Sequence, residues 1–117
     1  MPEILLKRVY NASAPEDGYR VLVDRLWPRG LAREDADIDE WNKDLAPSNE
    51  LRKWFHHDPE LWDDFSEKYR KELHDNNLGK EFLKRHEDQD TITLVYAAKD
   101  EKHCHAIILK EYLESCM

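Results

Sequence analysis

Asp24, Arg25, Trp27 and Arg29 sit within one short stretch and bring together a carboxylate, two guanidinium groups and an indole. A guanidinium presents a rigid donor fork that matches carboxylate or phosphate oxygens and stays charged at any working pH, so Arg25 and Arg29 suit an anion clamp. Trp27 could stack on a flat ligand, while Asp24 could orient an arginine or act as a base. A second group, Lys99, Asp100, His103, Cys104 and His105, adds an ammonium, a carboxylate, two imidazoles and a thiol. From it Lys99 joins Arg25, Trp27 and Arg29 as ligand-binding candidates. His105 joins Asp24 as a candidate for proton donation or abstraction.

Each of these residues also has a plainer use. Asp24 could pair with an arginine as a structural ion pair, Trp27 could pack over the end of a sheet, and residues 28–30 could simply make a turn. Cys104 at a helix start would feel the positive end of the helix dipole, which lowers a thiol pKa. A lone cysteine is more often an inert small hydrophobe. His56, His57, His103, Cys104 and His105 are metal-ligand types, but neighbours on a helix diverge, so neither cluster supplies three converging ligands. No metal and no cofactor are expected. Ser48 is a helix cap before it is a nucleophile.

These groups need elements to hold them. Residues 4–10, 20–26 and 91–97 are rich in Val, Ile, Leu, Thr and Tyr and read as strands. Val21, Leu22 and Val23 are consecutive rather than alternating, as expected of a strand covered on both faces in a parallel sheet. Residues 40–45 add a short edge strand. Between these, Ser48 caps a helix carrying Leu51, Trp54 and Phe55, and Asp58-Pro59 opens a longer one. Leu61, Phe65, Tyr69 and Leu73 recur every four residues along it. A short helix near Leu78, Phe82 and Leu83 and a last one over 103–115 complete the chain. Strand, strand, helices, strand, helix implies a small, mostly parallel sheet of three to four strands flanked by helices, an α/β fold in one domain over 1–117. In such sheets ligands bind beyond the C-terminal strand ends, which is where both candidate loops fall.

Composition excludes several classes. The net charge of −8 argues against a broad nucleic-acid footprint, which needs concentrated Lys and Arg. No stretch is long enough to span a membrane. The two cysteines, Cys104 and Cys116, would lie about 18 Å apart on one helix, too far for a disulfide. With Met1-Pro2-Glu3 leading into a short strand-like run rather than a hydrophobic leader, the expected setting is reducing and cytoplasmic.

Five blocks, in order along the chain, carry a resemblance: Arg20-Val-Leu-Val-Asp-Arg-Leu-Trp-Pro-Arg-Gly30, Trp41-Asn-Lys-Asp-Leu-Ala-Pro-Ser48, Glu50-Leu-Arg-Lys-Trp-Phe55, the helix over residues 62–73, and Thr93-Leu-Val-Tyr-Ala-Ala-Lys-Asp100 with His105-Ala106. By these the sequence is similar to the YeaO-like branch of the domain of unknown function 488 family. The resemblance implies a compact intracellular α/β domain without an established reaction. One departure is that Cys104-His105-Ala106 stands where the family pattern commonly has Asn-His-Ala. The distant, longer relatives carry Cys-His-Arg there.

Two functional expectations follow. The first is a site, with or without catalysis, for an anionic small-molecule or nucleotide-type ligand between the loops after the second and last strands. The alternative is a non-catalytic interaction module, for instance a homodimer, in which the same arginines and tryptophans form a protein contact.

Overall fold

The computed structural model describes residues 2–56 and 58–117. Its strands are β1 (Glu3–Arg8), β2 (Tyr19–Leu22), β3 (Glu40–Trp41) and β4 (Thr91–Tyr96), and its helices are α1 (Arg33–Ala36), α2 (Asn49–Phe55), α3 (Trp62–Asn76), α4 (Leu78–Arg85) and α5 (His105–Ser115). Every strand pair is parallel and the order is β1-β4-β2-β3. The expected sheet is therefore present, with four strands, all parallel, among the described residues.

Side chains on a strand alternate between its faces, and β4 separates its two environments in this way. Ile92, Leu94 and Tyr96 enter the main core with Phe55, Phe65 and Leu109, whereas Val95 meets a small cluster with Val9 and Ala36. Helices α2, α3, α4 and α5 all contribute to the main core, so they cover one face together. Each fully buried leucine or phenylalanine there stabilises the fold by about 1.5–3 kcal/mol relative to exposure.

The other face is closed differently. Arg20, only 3% exposed, donates from Nη1 to Asp17 Oδ2 (2.6 Å), from Nε to the Asp37 carbonyl (2.7 Å) and from Nη2 to the Ala36 carbonyl (3.1 Å). Lys7 reaches the same Asp17 carboxylate, and Thr93 Oγ1 donates to the Asp17 carbonyl. This polar knot and α1 take the place a second helical layer would fill. A both-faces-buried strand was legible in Val21–Leu22–Val23, all fully buried, but the material covering its second face was not.

Boundaries shifted where side chains redirect the backbone. β2 ends at Leu22 rather than near Leu26, although Val23 N–H still donates to the Val95 carbonyl. The expected strand over 40–45 stops at Trp41 and turns into a 3₁₀ segment, Lys43–Leu45, because Leu45 swings fully into the core and its carbonyl accepts the Tyr69 hydroxyl. Ser48 caps α2 as expected, Oγ accepting from Leu51 N–H at 3.1 Å. Asp58 accepts from Glu60 N–H and opens a 3₁₀ turn, Pro59–Leu61, that runs into α3.

Candidate functional site

β2 and β4 are neighbours, yet the chain leaves them toward opposite faces. From β2 it runs to α1, whose Ala36 lies in the small cluster; from β4 it runs to α5, which packs into the main core. Where adjacent strands shed their loops in opposite directions a crevice opens. Here it is a cavity of about 410 Å³, within the usual range for small-molecule sites.

Its walls come from six parts of the chain. The loop after β2 supplies Asp24 and residues 25–29, and the loop after β4 supplies Ala97, Ala98, His103, Cys104 and His105. The segment before α2 adds Ala46 and Pro47, α2 adds Arg52 and Phe55, α3 adds Phe65, and Tyr10 follows β1. Phe55 and Phe65 stack at 4.2 Å between ring centroids, forming an aromatic wall. The lining is largely apolar with a few charged groups at its edges.

Asp24 knots the two loops together. Its Oδ2 accepts Ala97 N–H at 2.9 Å, its carbonyl accepts Trp41 Nε1–H at 2.8 Å, and its Oδ1 lies 3.4 Å from His105 Nε2. His105 Nε2 is also 2.9 Å from the Val23 carbonyl. A carbonyl can only accept, so Nε2 carries a proton and donates it. The structure thus brings Asp24 and His105 into direct apposition, the first residue at the end of β2 and the second opening α5.

Arg25 and Arg29, considered together as a clamp, have separate surroundings. Arg25 Nε donates to the Pro47 carbonyl at 3.0 Å, with Nη2 3.5 Å from that of Ala46, so its guanidinium ties the β2 loop to the start of α2. Arg29 is exposed on the cavity rim, and its carbonyl accepts the Tyr10 hydroxyl. Trp27 reaches the cavity, but its Nε1–H donates to the Leu31 carbonyl at 2.6 Å and its ring meets Trp41 edge-on. Lys99 is exposed and does not line the cavity.

Cys104 precedes α5 at the position where the helix dipole would activate it, yet only 2% of the residue is exposed. Burial pushes its thiol up to about 12, and the Asp24 and Asp100 carboxylates add to that rise against one backbone hydrogen bond. Desolvation outweighs the helix terminus, and the thiol stays protonated. Next to it, Asp100 Oδ2 lies 2.9 Å from His103 Nδ1. That contact, with the Lys102 and His103 N–H groups on Oδ1, holds the Asp100 carboxyl below its usual value. No group of three or more metal-ligating side chains occurs among the described residues; His57 lies outside them.

Arg52 and Phe55 were not singled out from the sequence as site residues. Their signal was available: one helical turn past the Ser48 cap, a spacing of three puts them on the same side of α2. What the sequence could not give was the direction that side faces.

The profile of the family described as the inactive DUF488-N3 subclade matches residues 3–117. The uncharacterized protein YeaO of Escherichia coli is 42% identical over 112 residues, covering 96% of this chain and 97% of its own. The uncharacterized protein Rv3073c of Mycobacterium tuberculosis is 42% identical over 110 residues, covering 94% and 92%. No solved structure matches the chain.

Proposed function

We propose, from the premise that this chain belongs to the DUF488 family in its inactive N3 subclade, that it is a binding protein without a reaction of its own. It holds a small anionic, nucleotide-type ligand in the cavity between the ends of β2 and β4. The observation that carries this reading is the aromatic, mostly apolar cavity of about 410 Å³ with guanidinium groups at its edge. Chemistry of its own has little support there. The Cys104 thiol is buried and protonated, and Asp24 and His105 are engaged with backbone groups of the loops they join.

In this reading Asp24 and His105 fix the floor, Arg25 positions α2, and Trp27 and Arg29 face the ligand. Lys99 contributes only to the field around the mouth. The test is a titration of isotope-labelled protein with adenosine monophosphate, followed by backbone amide shifts. Perturbations should gather at residues 24–29, 52–55 and 97–105, and Arg29→Ala should weaken binding by about 3- to 10-fold, as for loss of one exposed charge contact. Shifts scattered elsewhere, or none at millimolar ligand, would remove the reading.

The interaction-module alternative draws on Leu26 and Tyr10, 61% and 46% exposed at the cavity rim. A purely monomeric sedimentation profile at high protein concentration would set aside its homodimer version.

A further inference from the structure

Arg52 is the one residue in the described structure with a buried side-chain nitrogen that has no hydrogen-bond partner, its Nε. Among the described residues its guanidinium makes a single hydrogen bond, a long 3.3 Å contact from Nη2 to the neutral Asn49 Oδ1. It takes part in none of the ion pairs found among the described residues. Buried polar groups are nearly always paired, and an unmet charged donor is among the costlier exceptions.

Its position explains what the missing partner would be. Arg52 lines the cavity beside Phe55, on a helix whose start is fixed three ways. Ser48 Oγ caps it, the Glu72 carboxylate takes the Ser48 N–H and hydroxyl, and Arg25 holds the preceding carbonyls. The guanidinium therefore stands on a rigid support next to an aromatic wall. Side-on, Nε–H and one Nη2–H form two parallel donors spaced for the two oxygens of a carboxylate or phosphate. Arg29 on the rim is exposed and Arg25 already serves backbone carbonyls, which leaves half-buried Arg52 as the cavity guanidinium with a buried, unmet Nε–H.

We infer that Arg52 anchors the oxyanion head of a flat aromatic acid whose ring lies against Phe55 and Phe65. This rests on the pocket reading above and deepens it by naming the ligand chemistry and the residue that selects it. The head group is a carboxylate or a phosphate monoester; both present the oxygens the fork requires.

The test compares acids with their neutral counterparts: naphthoate against naphthamide, and adenosine monophosphate against adenosine, each titrated calorimetrically into wild type, Arg52→Gln, Arg52→Lys and Arg29→Gln. Wild type should prefer at least one acid over its neutral partner by about 10-fold or more, the scale of a charge-assisted pair. The pair with the larger gap identifies the head group. Arg52→Gln should erase that preference while still binding the neutral compound, and Arg52→Lys, which keeps charge but loses the fork, should restore only part of it. Arg29→Gln should lower it only by the smaller loss already assigned to that rim contact, and should leave the response of the Arg52 Nε–H resonance to the acid unchanged.

A readout independent of substitution is the Arg52 Nε–H resonance, which should move with the acid and not with the amide or nucleoside. If Arg52→Gln keeps the full acid preference and the Nε–H signal stays still, the inference falls while the pocket stands. If wild type binds neither acids nor neutral compounds at millimolar concentration, the pocket and the inference fall together.

Discussion

At the scale of single residues, the site shows how environment decides what a side chain does. Cys104 has the residue type and the helix-start position of an activated thiol, but it is buried in the main core, and burial reverses the effect of the dipole. At about pH 8 iodoacetamide should modify Cys116, which is partly exposed, and leave Cys104 unmodified until denaturant is added; mass spectrometry of the two peptides checks this. Labelling of Cys104 at the rate of Cys116 in the native protein would contradict it. The linkage has a definite sign. An acid whose pKa rises on folding leaves stability undiminished below its ordinary value, near 9 for this thiol, and subtracts from it as pH climbs toward about 12. The candidate residues themselves were legible as types at strand ends. Their partners were not, because hydrogen bonds from Arg25 to Ala46 and Pro47 span about twenty residues of sequence with no local pattern to reveal them.

At the scale of elements, periodicity reported the helices and the central strands well, since apolar spacing is set by burial against one neighbour. It failed where polar groups close a face. The side of the sheet opposite the helices depends on Arg20, whose guanidinium joins Asp17 to the carbonyls that end α1. Within that knot burial works to raise the Asp17 carboxyl, but hydrogen bonds from Lys7, Ala14 N–H and Arg20 outweigh it and hold the group below its usual 3.8. A depressed acid contributes stability above its ordinary value and loses it as pH falls further, so the knot weakens below about pH 4. Arg20→Met should cost about 3–5 kcal/mol in urea unfolding at neutral pH, because it leaves a buried carboxylate short of a partner. A loss under about 1 kcal/mol would mean that water or Lys7 replaces the arginine without penalty. The sequence displays Arg20 as one of several arginines upstream of an acidic run; nothing local distinguishes it from Arg29.

For the whole molecule, the strand order places β4 between β1 and β2 and bonds it along its length to both. Ile92, Leu94 and Val95 are fully buried there. In native-state hydrogen exchange the β4 amides from Thr93 to Val95 should be the slowest in the protein, and those of β3 and α1 should exchange far sooner. Equal protection of β3 would indicate a sheet more uniformly stable than its pairing suggests. The global charge of −8 and the arginine-bearing cavity also belong together at this scale. A protein that repels anions over most of its surface can still admit one where three guanidinium groups outweigh the nearby carboxylate, which favours small ligands over extended polyanions.

The position of β4 also bears on the order of events during synthesis. β1 and β2 never touch each other through hydrogen bonds; the strand that joins them is encoded some seventy residues later than β2. As the polypeptide emerges from a ribosome, β1 has no partner and β2 has only the short β3, with an open slot between the first two strands, and helices made in the meantime have no finished surface on which to settle. The sheet closes only when residues 91–96 arrive. A nascent chain halted before that point therefore exposes apolar strand edges of the kind that chaperones cover.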